Sequence, residues 1–301
     1  MVYDIITVGG GPAGLTAAVY ALRAGKSVLV IEKGAFGGQI TYSPKVENIP
    51  GFTALSGNEF AEKLVDQAIS QGADFESCEV LGIRDGEVKT VVTDSGDFEG
   101  KAVIVATGAR HRLLGVENEE KFIGDGISFC AVCDGAFYKG QTVGVVGGGN
   151  SALQEALLLA ELAERVYVIQ NLDFLTGEGK LCDQLTAKDN VTVLTGTLVD
   201  RVLGNERFEG VRLRKALDGT TSDLTLDGLF VAIGLEPQNE PFADLLALDG
   251  RGYAVADEAC TTKTAGIFVA GDCRTKKIRQ VATAAADGAI AALAACDYLD
   301  R

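Results

Sequence analysis

Ile5-Ile6-Thr7-Val8-Gly9-Gly10-Gly11-Pro12-Ala13-Gly14 is the stretch from which the fold of this 301-residue chain is read. Ile5 to Val8 make a short buried strand, Gly9, Gly11 and Gly14 follow in G-x-G-x-x-G spacing, and Leu15 to Ala24 continues as an alanine-rich helix. Gly25-Lys26 closes that helix, and Ser27 to Ile31 is the next strand. In such a unit the first glycine permits the turn, the second lets backbone approach a pyrophosphate, and the third lets helix pack on strand. Phosphates then sit at the positive end of the helix dipole.

The same pattern returns at an offset of 138 residues, Gly147 against Gly9. Strand Thr142 to Val146 leads to Gly147, Gly149 and Ala152, a helix runs through Leu162, and strand Val166 to Ile169 follows. A further echo pairs Val103-Ile104-Val105-Ala106-Thr107-Gly108 with Leu229-Phe230-Val231-Ala232-Ile233-Gly234, so each repeat extends to a full domain. The last segment adds a strand, Ile267 to Ala270, a Gly271-Asp272 turn and a helix from about Gln280 to Leu299. It has no second half of its own and completes the N-terminal domain. The expected fold is therefore α/β, with two Rossmann-like three-layer nucleotide-binding-type domains, the second inserted within the first. Residues 1–113 and 242–301 form the discontinuous outer domain, 114–241 the central one. Hinges are expected near Gly115-Val116-Glu117-Asn118 and 236–241.

Composition excludes several function classes. A net charge of -15 argues against nucleic acid or an anionic membrane as partner, because either needs a basic surface to displace counterions. No stretch approaches the roughly 18 uninterrupted apolar residues of a membrane helix, and no basic leader opens the sequence. Of seven cysteines, Cys78, Cys182, Cys260, Cys273 and Cys296 stand alone, which fits a reducing, cytoplasmic setting.

An acidic side chain at the end of the second strand normally holds the ribose hydroxyls of an unphosphorylated adenosine. Glu32 stands there in the first repeat, which assigns FAD to the outer domain. The same offset places Gln170 in the second repeat, followed by Asn171, Leu172, Asp173, Phe174, Leu175 and Thr176. Neither a carboxylate for NADH nor an arginine fork for NADPH occupies that strand end, so NAD(P)H binding by the central domain is doubtful.

Cys130-Ala131-Val132-Cys133-Asp134 is the one organised cysteine pair. A zinc site would need four ligands, and the chain offers no second pair and a single histidine, His111. No metal is expected, and a dithiol beside a carboxylate is a proton-coupled redox unit.

The order of motifs, from Gly9 to Gly14 through Gly37-Gly38-Gln39, Ala106-Thr107-Gly108 and the Cys-x-x-Cys-Asp run to Gly271-Asp272, resembles the low-molecular-weight thioredoxin reductases over essentially the whole chain. The resemblance implies a flavin-dependent disulfide reductase, homodimeric, that passes electrons from FAD through Cys130 and Cys133 to thioredoxin. It implies that Cys133 faces the flavin, Cys130 attacks the partner's disulfide, and Asp134 is the acid and base. It implies FAD contacts from Gly9, Gly11, Pro12, Ala13, Gly14, Glu32, Lys33, Gly38, Gln39, Asn48, Ala106, Thr107, Gly108, Gly271, Asp272, Arg279, Gln280 and Val281. It also implies that the central domain rotates, so that one dithiol meets both flavin and partner.

The sequence departs from that pattern where NADPH-using members carry a His-Arg-Arg run with a further arginine. Here the run is Gln170 to Thr176. This is similar to the pyridine-nucleotide-independent branch, which takes electrons from reduced ferredoxin. Arg274, Lys276, Lys277 and Arg279, with Arg110 and Arg112, are the cations expected to dock that acidic donor. NADH or NADPH as donor, an oxygen-dependent dithiol oxidase and a non-catalytic redox sensor stay open as alternatives. His111 is assigned no catalytic role.

Overall fold

A computed structural model describes residues 1–43 and 45–301. It separates into two compact units, Met1–Arg110 with Glu236–Arg301, and His111–Leu235.

The first unit is built on parallel strands in the order β3 (Asp74–Ser77), β2 (Val28–Glu32), β1 (Val2–Val8) and β6 (Gly96–Val105). β6 is long enough to serve two partners in succession. Its first half pairs antiparallel with β5 (Lys89–Thr93), which pairs in turn with β4 (Val80–Arg84). Its end pairs parallel with β17 (Ile267–Val269).

Strand alternation sets the layers. Ile5, Val28, Val30, Ala102 and Ile104 face one core, shared with α1 (Pro12–Arg23), α6 (Val281–Leu299) and Ala68 of α2 (Gly57–Ser70). Ile6, Val8, Leu29, Ile31, Val103 and Val105 face the other, against Val80, Ile83, Phe98, Phe242 and Leu246. Burial on both faces is why these strands read as unbroken apolar runs. Pro12 starts α1 three residues before the expected Leu15, because its fixed φ suits the first helical position. Two glycines are needed for space: a Cβ on Gly14 would lie 1.9 Å from the Gly9 carbonyl oxygen, and one on Gly288 2.1 Å from that of Ala13. α6 therefore crosses α1 almost backbone to backbone.

One expectation is corrected here. α6 is long and apolar enough, by length and composition alone, to cross a membrane. Counting uninterrupted apolar residues missed it, since Asp287 and Asp297 break the run without lowering the average much. Its Ala284, Ala291, Ala292, Ala295 and Cys296 lie in the core with α1.

The second unit holds five parallel strands in the order β11 (Val191–Leu194), β10 (Arg165–Ile169), β9 (Thr142–Val146), β15 (Gly228–Val231) and β8 (Ile127–Ser128). On one face α4 (Asn150–Ala160), α3 (Ala131–Asp134) and α5 (Gly179–Thr186) cover Val143, Val145, Val166, Val168 and Phe230. On the other, Val146, Ile169, Leu229 and Val231 meet an antiparallel sheet of β12 (Thr197–Leu203), β13 (Gly210–Lys215) and β14 (Thr221–Thr225). α4 stops two residues short of the expected Leu162. The chain passes between the units at β7 (Ala109–His111) and β16 (Leu235–Pro237).

Candidate active site

Cys130 and Cys133 form a disulfide, with Cα atoms 5.3 Å apart, at the start of α3. β8 delivers Cys130 in extended conformation as the N-cap of that helix. The Cys133 N–H points at Cys130 Sγ at 3.2 Å and shares itself with the Cys130 carbonyl at 3.1 Å, so one sulfur already faces a donor of the first turn. Ser128, not singled out from sequence, ties the site together: it accepts from the Cys130 N–H at 3.1 Å and donates to Asp134 Oδ2 at 2.6 Å. Asp134 Oδ1 is buried without a partner. Burial pushes the Asp134 carboxyl above the usual range, against the opposing Ser128 bond. Burial first, then the charges of Asp134 and Asp125, hold the Tyr138 hydroxyl up at about 12. Val132 and Phe137 stand exposed on either side of Cys133. The His111 ring stacks on Phe129, centroids 4.7 Å apart, one residue before Cys130.

In the first unit the residues expected around FAD come from four segments. Gly9 takes φ +110° and begins the turn, and Gly11 caps α1 with no side-chain cap and no acid in the first turn, leaving its N–H groups for an anion. Glu32 accepts from the Gly10 and Gly34 N–H groups, both at 2.8 Å, which fixes its carboxylate at the turn. Lys33 instead reaches outward to Glu79 at 3.1 Å. Gly38 lies against Gly11, Gln39 donates to the Ala109 carbonyl, and Asn48 donates to Gln280 Oε1 at 3.1 Å. Ala106 is buried, Gly108 takes a left-handed φ, and Thr107 Oγ1 lies 3.5 Å from Asn239 Oδ1. Gln280 caps α6 at its first residue, Val281. Asp272 Oδ1 is buried with no partner, and burial raises that carboxyl against the pull of Lys276 and Arg279. An orphaned acceptor and an uncapped glycine turn fit a polyhydroxyl chain and a pyrophosphate, which are what FAD presents.

The second glycine turn differs at its strand end. Gln170 is 5% exposed, donates from Nε2 to the Phe174 carbonyl at 3.2 Å, and lies over Gly148, where a Cβ would stand 2.4 Å from that Nε2. The α4 N-terminus itself has no side-chain cap.

The structure corrects the expected docking cluster. Arg274 and Lys276 are bound to Asp287 at 3.0 and 2.8 Å, all three about a tenth exposed. Arg279 stacks on Tyr253, 4.1 Å from the ring centroid, and donates to the Asp272 carbonyl. These three cations are internal supports; of the six, Lys277, Arg110 and Arg112 are the exposed ones. Asp287, which also accepts from the Gly271 N–H at 3.1 Å, was missed, although an acid in the middle of an alanine-rich helix was a signal. Asn239, donating to the Gly252 and Cys273 carbonyls, left none.

A disulfide set beside a buried carboxyl, with a nucleotide cradle in the other unit, defines a flavin-linked disulfide oxidoreductase. Residues 3–288 match the pyridine nucleotide-disulphide oxidoreductase family. The chain is similar to thioredoxin reductase of Listeria monocytogenes, 39% identical over all of this chain and 95% of that one. It is as similar to the 34.2 kDa protein in the rubredoxin operon of Clostridium pasteurianum, 39% identical over 98% of this chain and 97% of that one. The crystal structure of thioredoxin reductase from Streptococcus pyogenes superposes with a TM-score of 0.94 at 38% identity, covering 99% of this chain and 98% of that one. The chain belongs to the thioredoxin reductase family, an FAD-dependent family of oxidoreductases.

Proposed function

We propose that this flavin disulfide reductase reduces thioredoxin or a similar protein disulfide with electrons from reduced ferredoxin rather than NADPH. The observation that carries the donor is Gln170, whose amide fills the strand end over Gly148, with no lysine or arginine from 170 to 179. A 2′-phosphate needs cations there, and a bidentate arginine above all. A relative that is the 34.2 kDa protein in a rubredoxin operon is in keeping with this reading.

FAD, held by the Gly9 to Gly14 turn, Glu32, Asp272 and the α6 start, supplies two-electron reducing power to the dithiol. The residues of the chain do the rest. Cys133 is the sulfur reduced from the flavin side and Cys130 the one that attacks the target disulfide, its thiolate stabilised by the Cys133 N–H and the helix start. Asp134, whose carboxyl burial raises above the usual range, is the group that gives the leaving sulfur a proton, and Ser128 holds it in place. Val132 and Phe137 offer apolar contact to the protein substrate. Rotation of the central unit, His111–Leu235, brings the dithiol to each partner in turn. The protein works in the cytoplasm as a homodimer, with exposed Tyr20, Ile290 and Leu293 as apolar surface for that contact.

NADPH as donor is the second reading, favoured by the intact Gly147 to Ala152 turn and the uncapped α4. Anaerobic mixing of the holoenzyme with reduced ferredoxin, NADH or NADPH, followed at the flavin absorption band, separates the two. Ferredoxin is expected to bleach the band and NADPH to leave it. Rapid bleaching by micromolar NADPH overturns the donor assignment.

A further inference from the structure

Ser128 is the last residue of β8, buried and held in register against Phe230 of β15. Its hydroxyl stands between the two chemical groups of the site. The oxygen accepts from the Cys130 N–H at 3.1 Å, and the hydrogen goes to Asp134 Oδ2 at 2.6 Å. A serine hydroxyl has one hydrogen to give, and among the described residues no other acceptor takes it. Cys130 is fixed on its other side as well, since its carbonyl accepts from the Cys133 and Asp134 N–H groups at 3.1 and 3.0 Å.

This arrangement distinguishes the two oxygens of Asp134. Oδ2 is committed as an acceptor, whereas Oδ1 is shut off from solvent with no hydrogen-bond partner. When the carboxyl takes up a proton, it therefore takes it on Oδ1. The bond to Oδ2 also favours the charged form. The elements packed around α3 carry Tyr138, in the turn Gly135–Tyr138, and Glu155, on α4, with Asp125 just ahead of β8; none of these elements carries a lysine, arginine or histidine. Burial opposes the charge on Asp134, and a neutral hydroxyl supports it where a cation would otherwise be needed.

We propose that Ser128 is a positioning residue of the disulfide exchange: it ties Asp134 Oδ2 to the Cys130 backbone, directs the exchangeable proton to Oδ1, and sets the pH above which Asp134 stops serving the dithiol. The inference deepens the disulfide-reductase reading and rests on it for the role of Asp134. When a small dithiol reduces the site, its thiolate bonds to one sulfur of the Cys130–Cys133 pair as the S–S bond breaks. The leaving sulfur keeps the electron pair and takes the Oδ1 proton, which leaves Asp134 a carboxylate with the Ser128 hydrogen on Oδ2. Solvent returns a proton to Oδ1. The second sulfur of the reagent, as a thiolate, then closes the reagent's own disulfide and releases the other cysteine as a thiolate.

The test uses neither thioredoxin nor the electron donor. Oxidised holoenzyme is mixed anaerobically with dithiothreitol over a range of pH, quenched in acid and alkylated. Opening of the Cys130–Cys133 disulfide is read by mass spectrometry, each rate being divided by the concentration of reagent thiolate. The rate is expected to fall as Asp134 loses its proton. In Ser128→Ala the fall should begin about one pH unit higher, because a hydrogen bond to a charged acceptor changes its ionisation roughly tenfold. Ser128→Thr, which keeps the hydroxyl, should return the midpoint to that of wild type. A flat wild-type profile overturns both the proposal and the role of Asp134 in the disulfide-reductase reading. A wild-type fall that Ser128→Ala leaves at the same midpoint, slowed equally at every pH or not at all, overturns the proposal alone. Labelling the wild-type chain with nitrogen-15 cysteine and carbon-13 aspartate gives a measurement without a variant: the Cys130 N–H resonance should shift as Asp134 titrates. A Cys130 N–H that stays fixed through that titration also overturns the proposal.

Discussion

At the first glycine turn, Glu32 turns its carboxylate onto the Gly10 N–H; at the second, Gln170 lies over Gly148 and donates to its own loop at Phe174. The backbones around them are alike. The Gly10 carbonyl accepts from the Gly37 N–H at 2.7 Å, and the Gly148 carbonyl from the Thr176 and Gly177 N–H groups at 2.8 and 2.9 Å. Turn, helix and loop therefore persist where the side chains that would choose a ligand do not. The glycine pattern reports a way of joining strand to helix, and the strand-end residue reports what is bound.

The sharpest break of this comparison is Gly14→Val. The added Cβ meets the Gly9 carbonyl oxygen at 1.9 Å, a backbone atom, with the Thr7 methyl at 3.0 Å beside it. The variant should carry no flavin and lose its cooperative thermal transition, read from the absorption spectrum and calorimetry. Retained flavin would mean that the turn is not where FAD is held.

Asp287→Asn should follow in size. It leaves Arg274 and Lys276 buried without their anion, a loss of about 3–5 kcal/mol for breaking such a pair. Urea unfolding should show the loss, together with release of flavin on dilution, since the Gly271 N–H loses its charged acceptor at the same time.

How much of this was legible in the sequence follows a physical line. Strands buried on both faces carry their own signal, so Ile5 to Val8, Thr142 to Val146 and Ile267 onward stand as read, within a few residues. The three-stranded sheet of β12 to β14 was not read, because β14, with Thr221, Ser222, Asp223 and Thr225 mostly exposed, has little apolar alternation. The dithiol is a local motif and was visible. Asp287 acts from a helix onto a separate turn, and spacing along the chain does not encode which backbone N–H a distant carboxyl will face. Reading Arg274, Lys276 and Arg279 as surface failed for the same reason.

His111 separates the units by pH. Burial lowers its imidazole from 6.5 to about 4, so the unfolded chain takes up a proton that the folded unit refuses. Stability is full above about 6.5 and falls as pH drops through that window, by up to about 3 kcal/mol at 1.36 kcal/mol per pH unit. Wild type and His111→Phe, compared by urea unfolding at pH 7 and pH 4.5, should differ in this slope. Equal slopes would mean that His111 is already free to charge in the folded protein.

The smallest effects test the strand ends directly. Glu32→Gln keeps the shape of the side chain and removes the charge that accepts from Gly10 and Gly34, and in the holoenzyme the acceptor for a ribose hydroxyl. A hydrogen bond to a charged group contributes about 1.5 kcal/mol, which is roughly a tenfold loss of FAD affinity on titration of apoprotein. Gln170→Ala removes the side chain over Gly148 and should leave both FAD affinity and flavin reduction by ferredoxin at wild-type values. Were that variant to lose ferredoxin reduction while keeping its flavin, the second turn would be part of the electron entry, and Gln170 a ligand-choosing residue like Glu32.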